Sequence, residues 1–122
     1  MPTGNKKTGL PATVIAEYRT PYPDPLVIKA GEKVQVEPRP SEWPGWIWCV
    51  IADGRSGWVP KKYIDEKHGL HLAAVDYSAA ELNVAVGDNL TIIKQESGWA
   101  WCENSRGDQG WVPLDNLDFP SN

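Results

Sequence analysis

The chain has 122 residues and a formal net charge of −4, with 11 Gly, 11 Pro, seven Trp and two Cys. That length holds one ordinary domain or two small ones near the lower limit for independent folding. No stretch approaches the ~20 consecutive apolar residues of a membrane helix, and Cys49 and Cys102 with the scattered His68 and His71 fall short of a structural zinc set.

Residues 1–11 are expected to be a disordered arm; Met1 to Lys7 lack the apolar core of a secretory signal, so the expected location is cytoplasmic. Val14–Tyr18 reads as a first short strand, and Lys33–Glu37 alternates with period two, as a half-buried strand does. Trp46–Ile51 follows as a third strand, Asp53-Gly54 as a tight hairpin turn and Ser56–Val59 as the next strand, stopped by Pro60. Residues 66–70 read as a short linker. Beyond it come Leu72–Tyr77, Leu90–Lys94 and Trp99–Glu103, a turn at Arg106-Gly107-Asp108, and a strand that Pro113 stops. Nothing has the periodicity of a long helix.

The second half repeats the first. Gly45-Trp46-Ile47-Trp48-Cys49 matches Gly98-Trp99-Ala100-Trp101-Cys102, and Gly57-Trp58-Val59-Pro60 matches Gly110-Trp111-Val112-Pro113, with 99 − 46 = 53 and 111 − 58 = 53. Upstream, Gly31-Glu32 matches Gly87-Asp88, and Tyr18 matches Tyr77. The repeats place Cys49 and Cys102 at one position in two cores, where they are expected to be buried thiols, too far apart for a disulfide. Charge divides unevenly. Residues 12–65 carry seven acids and seven bases, whereas 70–122 carry eight acids against Lys94 and Arg106, 2 − 8 = −6. That balance argues against nucleic acid as a ligand and makes any charged partner of the second half a basic one.

These repeated motifs, in this order and twice over, resemble the SH3 family, in the variant form of prokaryotic tandem SH3 proteins. The resemblance implies an all-β fold of two tandem SH3-like five-stranded small β-barrels, at 12–65 and 71–119. It implies Leu26, Val36, Cys49, Val59 and Ile64 as core in the first repeat, with Leu82, Ile92, Cys102, Val112 and Leu117 in the second. It also implies a ligand strip of aromatic residues beside one acid, because an extended polyproline II segment loses little entropy on binding and its ridges fit between rings. Carried over by position, the first strip is Tyr18, Trp46, Trp58, Pro60 and Tyr63, with Asp24 as the acid. The second is Tyr77, Trp99, Trp111 and Pro113, with Glu81 as the acid. The family's first Tyr is Ala16 or Val75 here, and its closing Tyr is Tyr63 in one repeat but Asn116 in the other. The first groove is therefore expected to be the better site for proline peptides and the second a divergent or basic-ligand site. Trp48 and Trp101, two residues on from Trp46 and Trp99, share their face, so part of the aromatic surface is open to packing roles. Trp43-Pro44, in a longer loop, either widens or caps the first groove.

The expected function is a non-enzymatic interaction module that binds proline-rich or basic peptide segments of another protein, without cofactor, metal, nucleic acid or membrane. No Ser/Cys–His pairing, Gly-rich phosphate loop or clustered metal ligands point to an enzyme. Two alternatives stand beside it: a cell-wall peptide module, and a structural pair whose grooves are buried.

Overall fold

A computed structural model describes residues 9–22, 24–40 and 44–119; of the expected arm over 1–11, residues 1–8 lie outside them, as does Trp43 of the long loop, whereas Leu10 and Pro11 are no arm but the start of the first strand. Among the described residues twelve strands run in chain order: β1 (Leu10–Val14), β2 (Val27–Ile28), β3 (Lys33–Glu37), β4 (Trp46–Val50), β5 (Ser56–Pro60), β6 (Ile64–Lys67), β7 (Leu70–Ala73), β8 (Tyr77–Ser78), β9 (Asn89–Glu96), β10 (Trp99–Asn104), β11 (Gln109–Pro113) and β12 (Leu117–Asp118). Short 3-10 turns follow the strand-ending prolines, at Lys61–Tyr63 and Leu114–Asn116. The all-β reading holds. The first strand of each repeat ends earlier than expected, at Val14 and at Ala73.

The sheets do not follow the repeats. One has the strand order β11-β10-β9-β1-β12 and the other β5-β4-β3-β7-β6. The orders match position by position, with β7 occupying in one sheet the place that β1 occupies in the other. Thus β1, from the first repeat, pairs with β9 (Ala12 opposite Leu90) and with β12 (Val14 opposite Leu117) of the second. Conversely β7 pairs with β3 (Val34 opposite His71) and with β6 (Ile64 opposite Ala73). The following segments are exchanged as well: β2 pairs with β8, Ile28 opposite Tyr77, and Tyr18 bridges Val84.

The compact units are accordingly Pro21–Ala80, which we call the inserted barrel, and Met1–Thr20 with Glu81–Asn122, the split barrel. They do not coincide with the expected 12–65 and 71–119. The cause lies in residues 66–70, expected to be a linker but folded as the turn of the β6–β7 hairpin, with Lys67 opposite Leu70. His68 (φ 54°) and Gly69 (φ 78°) both sit in the left-handed region, as a two-residue hairpin turn of the I′ kind requires. A turn this tight sends β7 straight back along β6, so the chain closes the first barrel with the opening strand of the second repeat. The strand left over, β1, completes the other barrel.

Within the split barrel, Ala12 and Val14 from β1 join Leu82, Val84, Leu90, Ile92, Ala100, Cys102, Val112 and Leu117 in one core. The alternation in β10 puts Ala100 and Cys102 inward, both 0% exposed, and leaves Trp99 and Trp101 on the other face. The inserted barrel buries Leu26, Ile28, Val34, Cys49, Val59 and Ala73. Of the expected core residues only Val36 and Ile64 are half-buried instead of buried. Both cysteines are buried free thiols, pushed by burial up to about 11 for Cys49 and about 12 for Cys102. Neither is poised as a thiolate nucleophile. The Asp53-Gly54 turn forms as expected, with Ile51 N–H donating to Arg55 O at 3.0 Å and Gly54 at φ 92°.

Candidate functional site

Each aromatic strip is assembled from both repeats. In the split barrel, Tyr18 leaves β1 and is fixed by a reciprocal backbone pair: its N–H donates to Val84 O at 3.0 Å, and Val84 N–H donates back at 2.9 Å. Its ring meets Trp99 edge-on, centroids 5.7 Å apart at 84°, the geometry aromatic quadrupoles favour. The Tyr18 hydroxyl donates to Glu81 Oε1 at 2.5 Å, and the Thr20 hydroxyl donates to the same oxygen at 2.8 Å. Thr20 N–H donates to Asn83 Oδ1 at 2.7 Å. Asn116, standing where the family's closing Tyr would be, donates through Nδ2 to Ala16 O and Glu17 O at 3.1 and 3.2 Å. Trp111 and Pro113 are buried, and Trp111 meets Trp101 edge-on at 5.3 Å. Tyr18 and Trp99 themselves are half-buried.

In the inserted barrel the matching tyrosine is Tyr77, from the second repeat. Its hydroxyl donates to Trp58 O at 2.8 Å, and its ring lies 5.6 Å from Tyr63. Tyr77 is 6% exposed and Trp46 8%, so the inner end of this strip is closed, with Pro60 buried as well. Trp58 and Tyr63 remain half-buried. Trp48 faces the same side as Trp46 and meets Trp58 at 5.1 Å and Tyr22 at 5.5 Å, while Arg39 stacks over its ring at 3.9 Å. Asp24 is exposed on this barrel.

The expected groupings are therefore corrected. Tyr18 belongs with Trp99, Trp111, Pro113 and Glu81, and Tyr77 with Trp58, Pro60 and Tyr63, because the exchange of β1 and β7 carries each tyrosine into the other repeat's barrel. The two strips close at different places: Tyr18 and Trp99 are half-buried and Trp111 closed off in one, Trp58 and Tyr63 half-buried and Trp46 and Tyr77 closed off in the other. Repeat matching did not point to Thr20, Asn83, Tyr22 or Arg39. Asn116 was visible only as a departure from the family pattern.

Glu81, expected to face a ligand cation, turns Oε1 to two hydroxyls and thereby positions Tyr18. Burial raises its carboxyl above the ordinary value of 4.5, and the hydrogen bonds from Tyr18 and Thr20 pull part of that back. A raised carboxyl favours the folded state while protonated. That contribution is complete below the unfolded value and is lost as pH rises through the folded one. Glu81→Gln, whose amide oxygen still accepts from both hydroxyls, is expected to remove the loss. Thermal melts across the range from about pH 4 to about pH 7 should show the variant gaining on wild type as pH rises. A Tm difference independent of pH would contradict this role.

Among the described residues, no group of three or more His, Cys, Asp or Glu is placed to hold a metal ion. Compared with known families, residues 11–66 match the Variant SH3 domain model and residues 73–114 the SH3 domain model. No curated protein matches the chain.

Proposed function

Since this chain is a tandem SH3 domain protein, we propose that it works by binding an extended, proline-containing peptide with basic flanks along the Tyr18–Trp99 strip of the split barrel. SH3 domains generally mediate protein–protein interactions and are typically non-catalytic. The observation that carries the choice of groove is the half-buried, edge-to-face Tyr18–Trp99 pair, with the Tyr18 hydroxyl on Glu81 and the backbone just before it, at Ala16 and Glu17, tied by Asn116. Such a pair is a rigid, preordered wall, so little side-chain entropy is lost when a polyproline II ridge packs against it. Basic flanks are favoured by charge. Residues 9–20 and 81–119 hold Arg19, Lys94 and Arg106 against eight acids, 3 − 8 = −5, a field that attracts a cationic segment.

The test is a titration of isotopically labelled protein with a PxxP peptide carrying a flanking Arg, read on the Trp indole amides. Saturable shifts at Trp99 are expected, with a Kd between about 1 mM and about 1 µM. Tyr18→Ala should weaken binding by about tenfold, as loss of a central aromatic contact does. If Trp99 stays still at millimolar peptide, this groove is not a peptide site. A second reading applies to the inserted barrel alone: the burial of Trp46 and Tyr77 supports a packing role for the inner end of its strip.

A further inference from the structure

The two strips carry opposite charge at one end. Directly after the strand-ending proline, Lys61-Lys62-Tyr63 of the inserted barrel stands where Leu114-Asp115-Asn116 stands in the split barrel, again at 114 − 61 = 53. Lys62 Nζ lies 6.0 Å from the Tyr63 ring centroid. The Arg39 guanidinium lies 3.9 Å above the Trp48 ring, which in turn meets Trp58 at 5.1 Å. Trp48 points away from the core, on the opposite face of β4 from the fully buried Cys49, yet is only 5% exposed, because Trp58, Tyr22 and Arg39 cover it. Arg39 is exposed and forms no ion pair with a carboxylate among the described residues. A guanidinium laid flat on an indole is oriented at little further entropic cost and keeps its in-plane N–H donors available at the edge. That planar fork fits a carboxylate with two parallel hydrogen bonds.

We propose that the accessible end of the inserted barrel's strip, Arg39, Trp58 and Tyr63 with Lys61 and Lys62, takes an extended peptide of another protein that carries a carboxylate side chain beside its apolar residues. This rests on the peptide-groove reading given above and reverses its charge for this barrel. Arg39 is the group that reads the carboxylate. The apolar residues lie along Trp58 and Tyr63, and the two lysines extend the positive rim. Asp24, Glu37 and Glu42 are the acids of the flanking segments, three against Arg39, Lys61 and Lys62, so the preference rests on the orientation of Arg39 over Trp48 and not on net charge.

The test uses the full chain, labelled with ¹⁵N, and three proline-containing peptides identical except for Glu, Gln or Lys at the flanking positions. Indole signals of Trp48 and Trp58 report the inserted barrel and those of Trp99 and Trp111 the split barrel. At Trp48 and Trp58 the Glu peptide is expected to bind about fivefold more tightly than the Gln peptide, and the Lys peptide more weakly than either. Arg39→Gln should reduce the Glu peptide to the level of the Gln peptide, whereas Arg39→Lys should keep part of the preference; thermal melts of both variants check that the barrel stands. Equal affinities, a preference for Lys, or a Glu preference that survives Arg39→Gln would overturn the assignment while leaving peptide binding intact. If no peptide moves any indole signal in either barrel, the peptide-groove reading falls and this proposal with it.

Discussion

Replacing Val14 with Asp is expected to collapse the barrel that contains Trp99, Trp101 and Trp111 and to leave the barrel that contains Trp48 and Trp58 standing, although Val14 and Trp58 lie in the same sequence repeat. Val14 is 1% exposed and sits in a core otherwise formed, apart from its β1 neighbour Ala12, by second-repeat residues. Its strand pairs with β9 and β12 and with no strand of the first repeat. A carboxylate there must be buried unpaired or protonated, and either costs several kcal/mol, a large share of a small domain's ~5–15 kcal/mol. The complementary change, Ala73→Asp, places the same burden in the other barrel. Ala73 is 3% exposed, pairs with Ile64 and donates its N–H to Glu32 O at 2.8 Å. Trp48 and Trp58 should then lose their dispersed indole signals while Trp99 keeps its own. This crossed pattern in a ¹H–¹⁵N spectrum distinguishes exchanged barrels from sequential ones. If Val14→Asp removes the Trp48 and Trp58 signals first, each repeat closes on itself and the composite strips do not exist.

The sequence made the strands, the turns and most core positions readable because they depend on local pattern. Alternation along Trp99-Ala100-Trp101-Cys102 separates inner from outer face, and Asp53-Gly54 specifies its own turn. What repeat matching could not decide is which copy fills a given place. Tyr18 and Tyr77 occupy equivalent positions, as do β1 and β7, so the motifs are satisfied equally by either pairing. The choice falls to His68-Gly69, whose tight turn commits β7 to β6 before β12 has been made. That signal lay in the segment that reads as a linker: a His-Gly pair between two extended runs is a hairpin turn as readily as a spacer. The contacts of Glu81 were out of reach for a related reason. Its partners Tyr18 and Thr20 lie 63 and 61 residues away, and only the exchange brings them onto one carboxylate oxygen. The inner burial of Trp46 and Tyr77 was likewise a property of the assembled barrel, since both residues match exposed positions of the family pattern.

Gly110→Ala is expected to destabilise the split barrel by about 1–3 kcal/mol, the usual cost of forcing an atom into a packed site, and to disturb the ligand strip at the same time. A Cβ at this position would lie 2.8 Å from the Leu82 amide nitrogen and 2.9 Å from the Glu81 carbonyl carbon. Those are backbone atoms of the segment that returns to the split barrel, and no rotamer change moves them aside. The same segment is tied to β11 by the Leu82 N–H to Trp111 O hydrogen bond at 3.0 Å and by the Glu81–Trp111 bridge. Pushing it outward therefore shifts Glu81, and with it the hydroxyl contact that holds Tyr18 edge-on to Trp99. The equivalent Gly57 supplies the contrast: its added Cβ would meet the Ala79 Cβ at 2.8 Å. That obstruction is a side chain, so Gly57→Ala should be rescued in large part by Ala79→Gly, whereas nothing at Leu82 or Glu81 can be trimmed to rescue Gly110→Ala. Urea denaturation of the two single variants and the double variant measures the stabilities, and the Trp99 indole shift reports the strip. A Gly110→Ala protein with wild-type stability and an unmoved Trp99 signal would mean that the returning segment does not lie on β11, and the link from that strand through Glu81 to the Tyr18 ring would have to be abandoned.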